Sequence, residues 1–207
     1  MDFALSPEQA ELARAVREFA RRELNHDLEA RDRAGVFPRE CWTRCAEFGL
    51  LGLPIPAAYG GQGQDLLTTT IAMEALGHGC RDNGLVFSLN AQMWAVEMPI
   101  LHFGDEEQKR AWLPRLVSGA AIGAHAITEP GAGSDVFALS SRAERVADGY
   151  RLNGAKTFST NAPVADLALA FAYLDRSGEG GSRALTAFHV PRGTPGATVS
   201  KPVEKMG

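Results

Sequence analysis

Apolar residues return every three or four positions through the first part of the chain and every second position after it. Leu12, Val16, Phe19 and Ala20 fall on one face of a helix that the pattern carries from Pro7 to about Ala30. Its start is marked by Ser6-Pro7-Glu8-Gln9, a capping box with proline at the first helical position, where a missing N–H costs nothing. A second helix is expected from Pro38 to Gly49, burying Cys41, Cys45 and Phe48. Pro54, Pro56, Gly60, Gly61 and Gly63 then leave room only for a loop between Gly52 and Gln64. Helical spacing resumes over Leu67–Gly77 and about Asn83–His102, and Asp105-Glu106-Glu107-Gln108 repeats the capping logic ahead of Trp112, Leu113 and Leu116.

From about Ala120 the period falls to two. Ser141–Ala147, Tyr150–Leu152, Ala155–Thr160, Asp166–Leu174 and Arg183–Val190 read as strands, with Asp148-Gly149 and Asn153-Gly154 as hairpin turns, since type I′ turns need positive φ at both central residues. Helices first and strands second predict an α+β fold. A helical domain is expected over residues 1–120 and a domain of antiparallel strands over 121–207, with no internal repeat.

Composition agrees with a chain that builds its own core. Of 207 residues, 45% are hydrophobic and 22% charged, which excludes a disordered tail, a collagen-like repeat and a disulfide scaffold. Lys+Arg 21 against Asp+Glu 25, a net charge of -4, gives no electrostatic reason to expect nucleic acid or an anionic membrane surface. The most apolar stretch, Gly84 to Phe103, approaches membrane-spanning length, but Asn90, Gln92 and Glu97 interrupt it and a buried helix accounts for it. The opening residues resemble neither a signal peptide nor a transit peptide, so a cytoplasmic address is expected. Three cysteines leave one unpaired however they bridge, which suits a reducing compartment. Cys41 and Cys45 share a helix face without His or carboxylate partners at ligand spacing, and the five histidines are scattered, so no metal signature exists.

Two glycine-rich stretches invite a nucleotide reading. Gly149 to Thr157 nearly spells a phosphate-binding loop, but Ala155 is one residue too many and a strand follows, whereas such a loop must open a helix. Gly131-Ala132-Gly133-Ser134-Asp135 begins like a dinucleotide fingerprint, yet lacks a third glycine and a following helix. That second stretch still carries chemistry. The strand Ala124–Thr128 leads into a turn whose small residues let backbone N–H groups approach a ligand, flanked by the hydroxyls of Thr128 and Ser134. On the residues alone, a wide polar turn explains it equally well.

Ala126-Ile127-Thr128-Glu129-Pro130-Gly131-Ala132-Gly133-Ser134-Asp135 resembles the signature segment of the flavin-dependent acyl-CoA dehydrogenase family. Tyr59-Gly60-Gly61-Gln62-Gly63, Met98-Pro99-Ile100 and Leu152 to Asn161 agree with it in order and spacing, so the likeness runs through essentially the whole chain.

The resemblance implies a helical domain, a middle β-barrel domain and FAD between the barrel and a further helical domain. It places His125, Ile127, Thr128, Gly133, Ser134, Phe158, Ser159 and Thr160 at the cofactor, with Ser134 also reaching the pantetheine arm of the substrate. Phe158 stands where the family usually has Trp against the flavin, and Ser159 replaces an aliphatic residue. A packed, neutral His125 is expected rather than a catalytic one. Met93 and Trp94 lie where relatives shape the acyl pocket, although both suit an ordinary core.

The implied reaction is α,β-dehydrogenation of an acyl thioester, a carboxylate removing the α proton while hydride passes to flavin N5. No residue of this chain is expected to be the base, which in the family belongs to the C-terminal helical domain. Glu129 matches a structural position. The chain stops at Lys205-Met206-Gly207, where relatives continue with the last barrel strands, and so reads as an amino-terminal portion that is inactive alone. Electron-transfer flavoprotein is the implied acceptor and a homo-oligomer the implied assembly. Two alternatives stand beside acyl-CoA as substrate: a dehydrogenase of carrier-protein-bound acyl chains, or a non-catalytic half that needs a partner chain.

Overall fold

The computed structural model describes residues 4–174 and 185–203. It divides into a helical unit ending at Ala121 and a sheet unit beginning at Ile122.

The helical unit contains α1 (Pro7–Glu23), α2 (Leu28–Ala34), α3 (Arg39–Glu47), α4 (Leu66–Gly79), α5 (Asn83–Gln92), α6 (Met98–Phe103) and α7 (Glu106–Val117). Both anticipated capping boxes form. The Ser6 and Asp105 side chains accept from the N–H groups of Gln9 and Gln108, whose own side chains accept from the cap N–H groups. α1 ends at Glu23 rather than Ala30, because Asp27 adopts a left-handed conformation with φ 52° and restarts the chain as α2. Arg31 staples the junction: its guanidinium donates to the carbonyls of Leu24 and His26 and pairs with Asp82, the N-cap of α5, at 3.1 Å.

α1 and α4 run side by side in the same direction. Gln9 donates to Thr68 near their starts, and Asn25 donates to the Gly79 carbonyl near their ends. Gly79 is required at that crossing, since a Cβ there would lie 2.6 Å from the Arg17 carbonyl oxygen. The loop from Gly52 to Gln64 contains one 3₁₀ turn, Ala57–Tyr59.

The apolar stretch from Gly84 to Phe103 is not one regular helix. α5 and α6 are joined by a π turn, Met93–Glu97, in which the Met98 N–H bonds back to the Met93 carbonyl. No helix among the described residues is long and apolar enough to cross a membrane.

The sheet unit holds β1 (Gly123–Ala126), β2 (Arg142–Val146), β3 (Gly149–Asn153), β4 (Leu167–Leu174) and β5 (Leu185–Pro191). β2 and β3 form the hairpin expected at Asp148-Gly149. β4 pairs with β5 antiparallel along its length, and with β1 and then β2 in parallel on its other edge. The fold is therefore α+β, but the sheet is mixed and, among the described residues, open, where an antiparallel barrel was expected. The reason is connectivity: the chain leaves β1 through the signature turn, the β2–β3 hairpin and residues 154–166 before β4, the long crossover that parallel pairing needs. Residues 183 and 184 of the last expected strand lie outside the described residues.

Ala155–Thr160 is not a strand, and Asn153-Gly154 is not a hairpin turn. Gly154, at φ 156°, passes so close over Ser141 that a Cβ would lie 2.9 Å from the Ser141 Cα. Instead of turning back onto β3, the chain crosses to the segment after β1.

Candidate functional site

The site is built from two loops of the sheet unit, residues 127–135 and 155–161. The first is closed on itself: Glu129 and Ala132 exchange backbone hydrogen bonds of 2.9 and 3.1 Å, leaving Pro130 and Gly131 at an exposed tip. The second is tied to the first by the Thr157 N–H, which donates to the Thr128 carbonyl at 2.8 Å. Asn161 anchors its far end, its side-chain amide donating to the Gly123 carbonyl at 3.1 Å.

Glu129 holds the arrangement together. Its carboxylate, only 4% exposed, accepts from the Lys156 ammonium at 2.7 Å, from both N–H and hydroxyl of Ser140 at 2.6 Å, and from the Ser141 N–H at 3.0 Å. Burial opposes ionisation, but the Lys156 ammonium and the Ser140 and Ser141 donors outweigh it and hold the carboxyl well below the usual carboxylate range. A carboxylate so engaged is a poor proton acceptor. Lys156 also donates to the Ile127 carbonyl at 3.2 Å, so one ammonium clamps both ends of the short segment Ile127–Glu129.

These bonds decide what the loops can offer a ligand. The carbonyls of Ile127 and Thr128 are engaged internally, which leaves their N–H groups and the Thr128 hydroxyl. Gly133 and Ser134 are exposed on the first loop. On the second, Phe158 stands 77% exposed with φ 54°, and Asn161 has φ 68°. Left-handed conformations of non-glycine residues are costly and gather at ligand sites, where surrounding contacts impose them. Ser159 and Thr160 are half-buried, and the Ser159 hydroxyl oxygen is buried without a hydrogen-bond partner. His125, half-buried on β1, packs edge-on against Phe171 with ring centroids 5.1 Å apart, and burial lowers its pKa, so the ring is neutral at pH 7.

An exposed aromatic face, hydroxyls and backbone donors suit a planar, hydrogen-bonding cofactor with an anionic tail. The loops thus form a candidate ligand site on an α+β scaffold. Models of the acyl-CoA dehydrogenase N-terminal domain and of the acyl-CoA dehydrogenase middle domain match residues 6–120 and 124–207. The chain belongs to the acyl-CoA dehydrogenase family, whose cofactor is FAD.

Among curated relatives, an L-prolyl-[peptidyl-carrier protein] dehydrogenase of Pseudomonas fluorescens is 49% identical over 171 residues, covering 82% of this chain and 44% of the relative. The human mitochondrial short-chain specific acyl-CoA dehydrogenase is 39% identical over 95% of this chain and 47% of its own length. The crystal structure of the prolyl acyl carrier protein oxidase AnaB superimposes with a TM-score of 0.93 at 48% identity, covering 99% of this chain and 53% of that one. PigA with FAD and proline gives 0.92 at 37%, covering 98% and 52%. The chain spans about half the length of the relatives it matches.

Met93 and Trp94 belong to the helical unit. Met93 is wholly buried in its core, while Trp94 is half-buried and donates its indole N–H to Asn90 at 2.9 Å. Lys156 and the Ser140-Ser141 pair were not singled out from the sequence. Their signal is faint, because Lys156 pairs with Glu129 across 27 positions and nothing local links them.

Proposed function

We propose that this chain supplies the flavin- and thioester-facing half of a dehydrogenase that oxidises a prolyl group carried as a thioester on a carrier protein. The observation that carries the reading is the likeness itself: 49% identity to a prolyl-carrier-protein dehydrogenase and 48% to AnaB, against 39% to an acyl-CoA enzyme.

In this reading Phe158 would stack on the isoalloxazine, and the Thr128 hydroxyl, Thr160 hydroxyl and N–H groups of Ile127 and Thr128 would bond its polar edges. Gly133 and Ser134 face the pyrophosphate, with Ser134 also meeting the pantetheine arm, and His125 and Ser159 back the ring. Trp94, partly exposed on the helical unit, is the residue offered to the acyl group, and Met93, wholly enclosed, acts only through packing. FAD supplies hydride acceptance; the protein's donors stabilise the negative charge that the reduced ring acquires. The α proton goes to a carboxylate other than Glu129, whose oxygens are already occupied by Lys156, Ser140 and Ser141. A base from the family's C-terminal helical domain, an electron-transfer flavoprotein as acceptor, a cytoplasmic setting and a homo-oligomeric assembly complete the proposal.

The test is anaerobic bleaching of FAD-loaded protein in which this chain is joined to the family's C-terminal helical domain. Prolyl-loaded carrier protein is expected to bleach the flavin at least about tenfold faster than butyryl-CoA, a discrimination of roughly 1.4 kcal/mol. A preference for the CoA thioester would overturn the carrier-protein assignment and favour acyl-CoA as substrate. Absence of bleaching with either, despite bound FAD, would favour the non-catalytic half.

A further inference from the structure

Glu97 is wholly buried in the helical unit, at the last position of the π turn. One carboxyl oxygen, Oε1, accepts from the Gln92 amide at 3.0 Å; the other, Oε2, is buried and has no hydrogen-bond partner. The same Gln92 amide donates to the Leu116 carbonyl near the end of α7 at 3.1 Å, so a single side chain ties the π turn to a neighbouring helix. Trp94, two residues into the turn, is partly exposed, whereas Met93 beside it is fully enclosed.

We infer that Glu97 is a positioning residue for the acyl-binding face: through Gln92 it locks the π turn and so sets where Met93 packs and how Trp94 is presented. The assignment of Trp94 to the acyl end rests on the proposed function above; the lock itself does not.

A leucine at position 97 would fill the same space without burying a half-satisfied carboxyl, and buried polar groups of this kind are destabilising unless fully bonded. What the carboxyl provides, and leucine cannot, is an acceptor for Gln92 in the one part of the helix where the ladder has slipped to five-residue spacing. π turns carry an extra residue and re-aim the side chains around them, which is why they gather at functional sites. Without the acceptor, the ordinary α register competes, and reverting to it would rotate Trp94 about the helix axis.

Burial pushes the Glu97 carboxyl up to about 8, partly offset by the Gln92 hydrogen bond. No charged group contributes to that rise. α5 carries no titratable side chain, His102 on α6 is exposed, and on α7 Glu106, Glu107, Arg110 and Arg115 are exposed with Lys109 half-exposed. The carboxyl is therefore neutral at pH 7, and ionisation in alkali would place an unpaired charge in the turn.

The three tryptophans provide a direct readout. In protein labelled with fluorotryptophan, the Trp94 resonance, assigned with Trp94→Phe, is expected to move in Glu97→Leu and to return in Glu97→Gln, which keeps an acceptor for Gln92. Raising the pH through about 8 should move it in the parent protein and leave it in place in Glu97→Gln. In the FAD-loaded protein joined to the family's C-terminal helical domain, Glu97→Leu should raise KM for prolyl-loaded carrier protein about fivefold, the factor of one ordinary hydrogen bond, with kcat within about twofold, and Glu97→Gln should restore it.

A Trp94 resonance unmoved by both Glu97→Leu and alkali would overturn the inference, as would Glu97→Gln departing as far as Glu97→Leu. If the leucine variant does not fold, the parent and glutamine titrations decide alone. If no version oxidises a thioester, the proposed function fails while the resonance still decides the role of Glu97.

Discussion

Among the described residues each unit of the protein buries one glutamate, and the two are treated in opposite ways. In the sheet unit Glu129 is surrounded by an ammonium, two backbone N–H groups and a hydroxyl, and is held as an anion. In the helical unit Glu97 has one amide and an unpartnered oxygen, and is held as a neutral acid. Burial penalises ionisation in both; the number of donors decides the outcome. A fully partnered carboxylate can fix a loop rigidly, which the exposed signature turn needs. A half-partnered one leaves its helix sensitive to proton concentration.

The largest expected effect comes from breaking the satisfied case. Glu129→Ala strands the Lys156 ammonium and frees both loops, and should destabilise the sheet unit by about 4 kcal/mol, measured by urea unfolding at pH 7. A loss under about 1 kcal/mol would show that the loops are held elsewhere. Lowering the pH acts on the same residue: its folded pKa lies below the unfolded value, so its contribution is present above the unfolded pKa and is lost progressively as the pH falls from there through the folded pKa.

The helical unit should respond with the opposite sign. Because the folded pKa of Glu97, about 8, lies above the unfolded value of 4.5, its stability is greatest below 4.5 and declines as pH rises until about 8. Glu97→Gln abolishes that decline and should leave the variant about 4 kcal/mol more stable than the parent at pH 8, relative to the same comparison at pH 4.5. Trp42, Trp94 and Trp112 all lie in the helical unit, so tryptophan fluorescence during unfolding reports it selectively. A parent and variant with parallel pH profiles would mean that Oε2 finds a partner.

The smallest effect on stability should come from the exposed face of the site. Phe158→Ala removes an aromatic ring that contacts little of its own unit and should change unfolding free energy by less than about 0.5 kcal/mol. FAD affinity, by titration, should fall about tenfold if the ring covers the flavin. Large destabilisation with unchanged FAD binding would reverse the roles assigned to scaffold and face.

Much of this was legible along the chain. Ser6 and Asp105 announced their helices because capping is a contract between residues three positions apart. The change of period near residue 120 announced the change from helices to strands, and Asp148-Gly149 announced the hairpin that forms there. Asn153-Gly154 gave the same local signal and was overridden, since Ser141 passes beneath Gly154 and the chain is drawn away to Lys156 and Glu129. The parallel pairing of β1 with β4 was equally hidden, being a relation between segments some forty residues apart.

The sequence by itself determined the elements with local causes: capped helices, the breaker-rich loop, the alternating strands and the family signature with its exposed hydroxyls and aromatic residue. Only the tertiary structure decided the protonation of the two buried glutamates, the π turn inside the apolar helix and the closure of the site by Lys156. The physical reason is the same each time. Solvation and hydrogen-bond satisfaction depend on which groups surround a residue in space, and those groups lie far away along the chain.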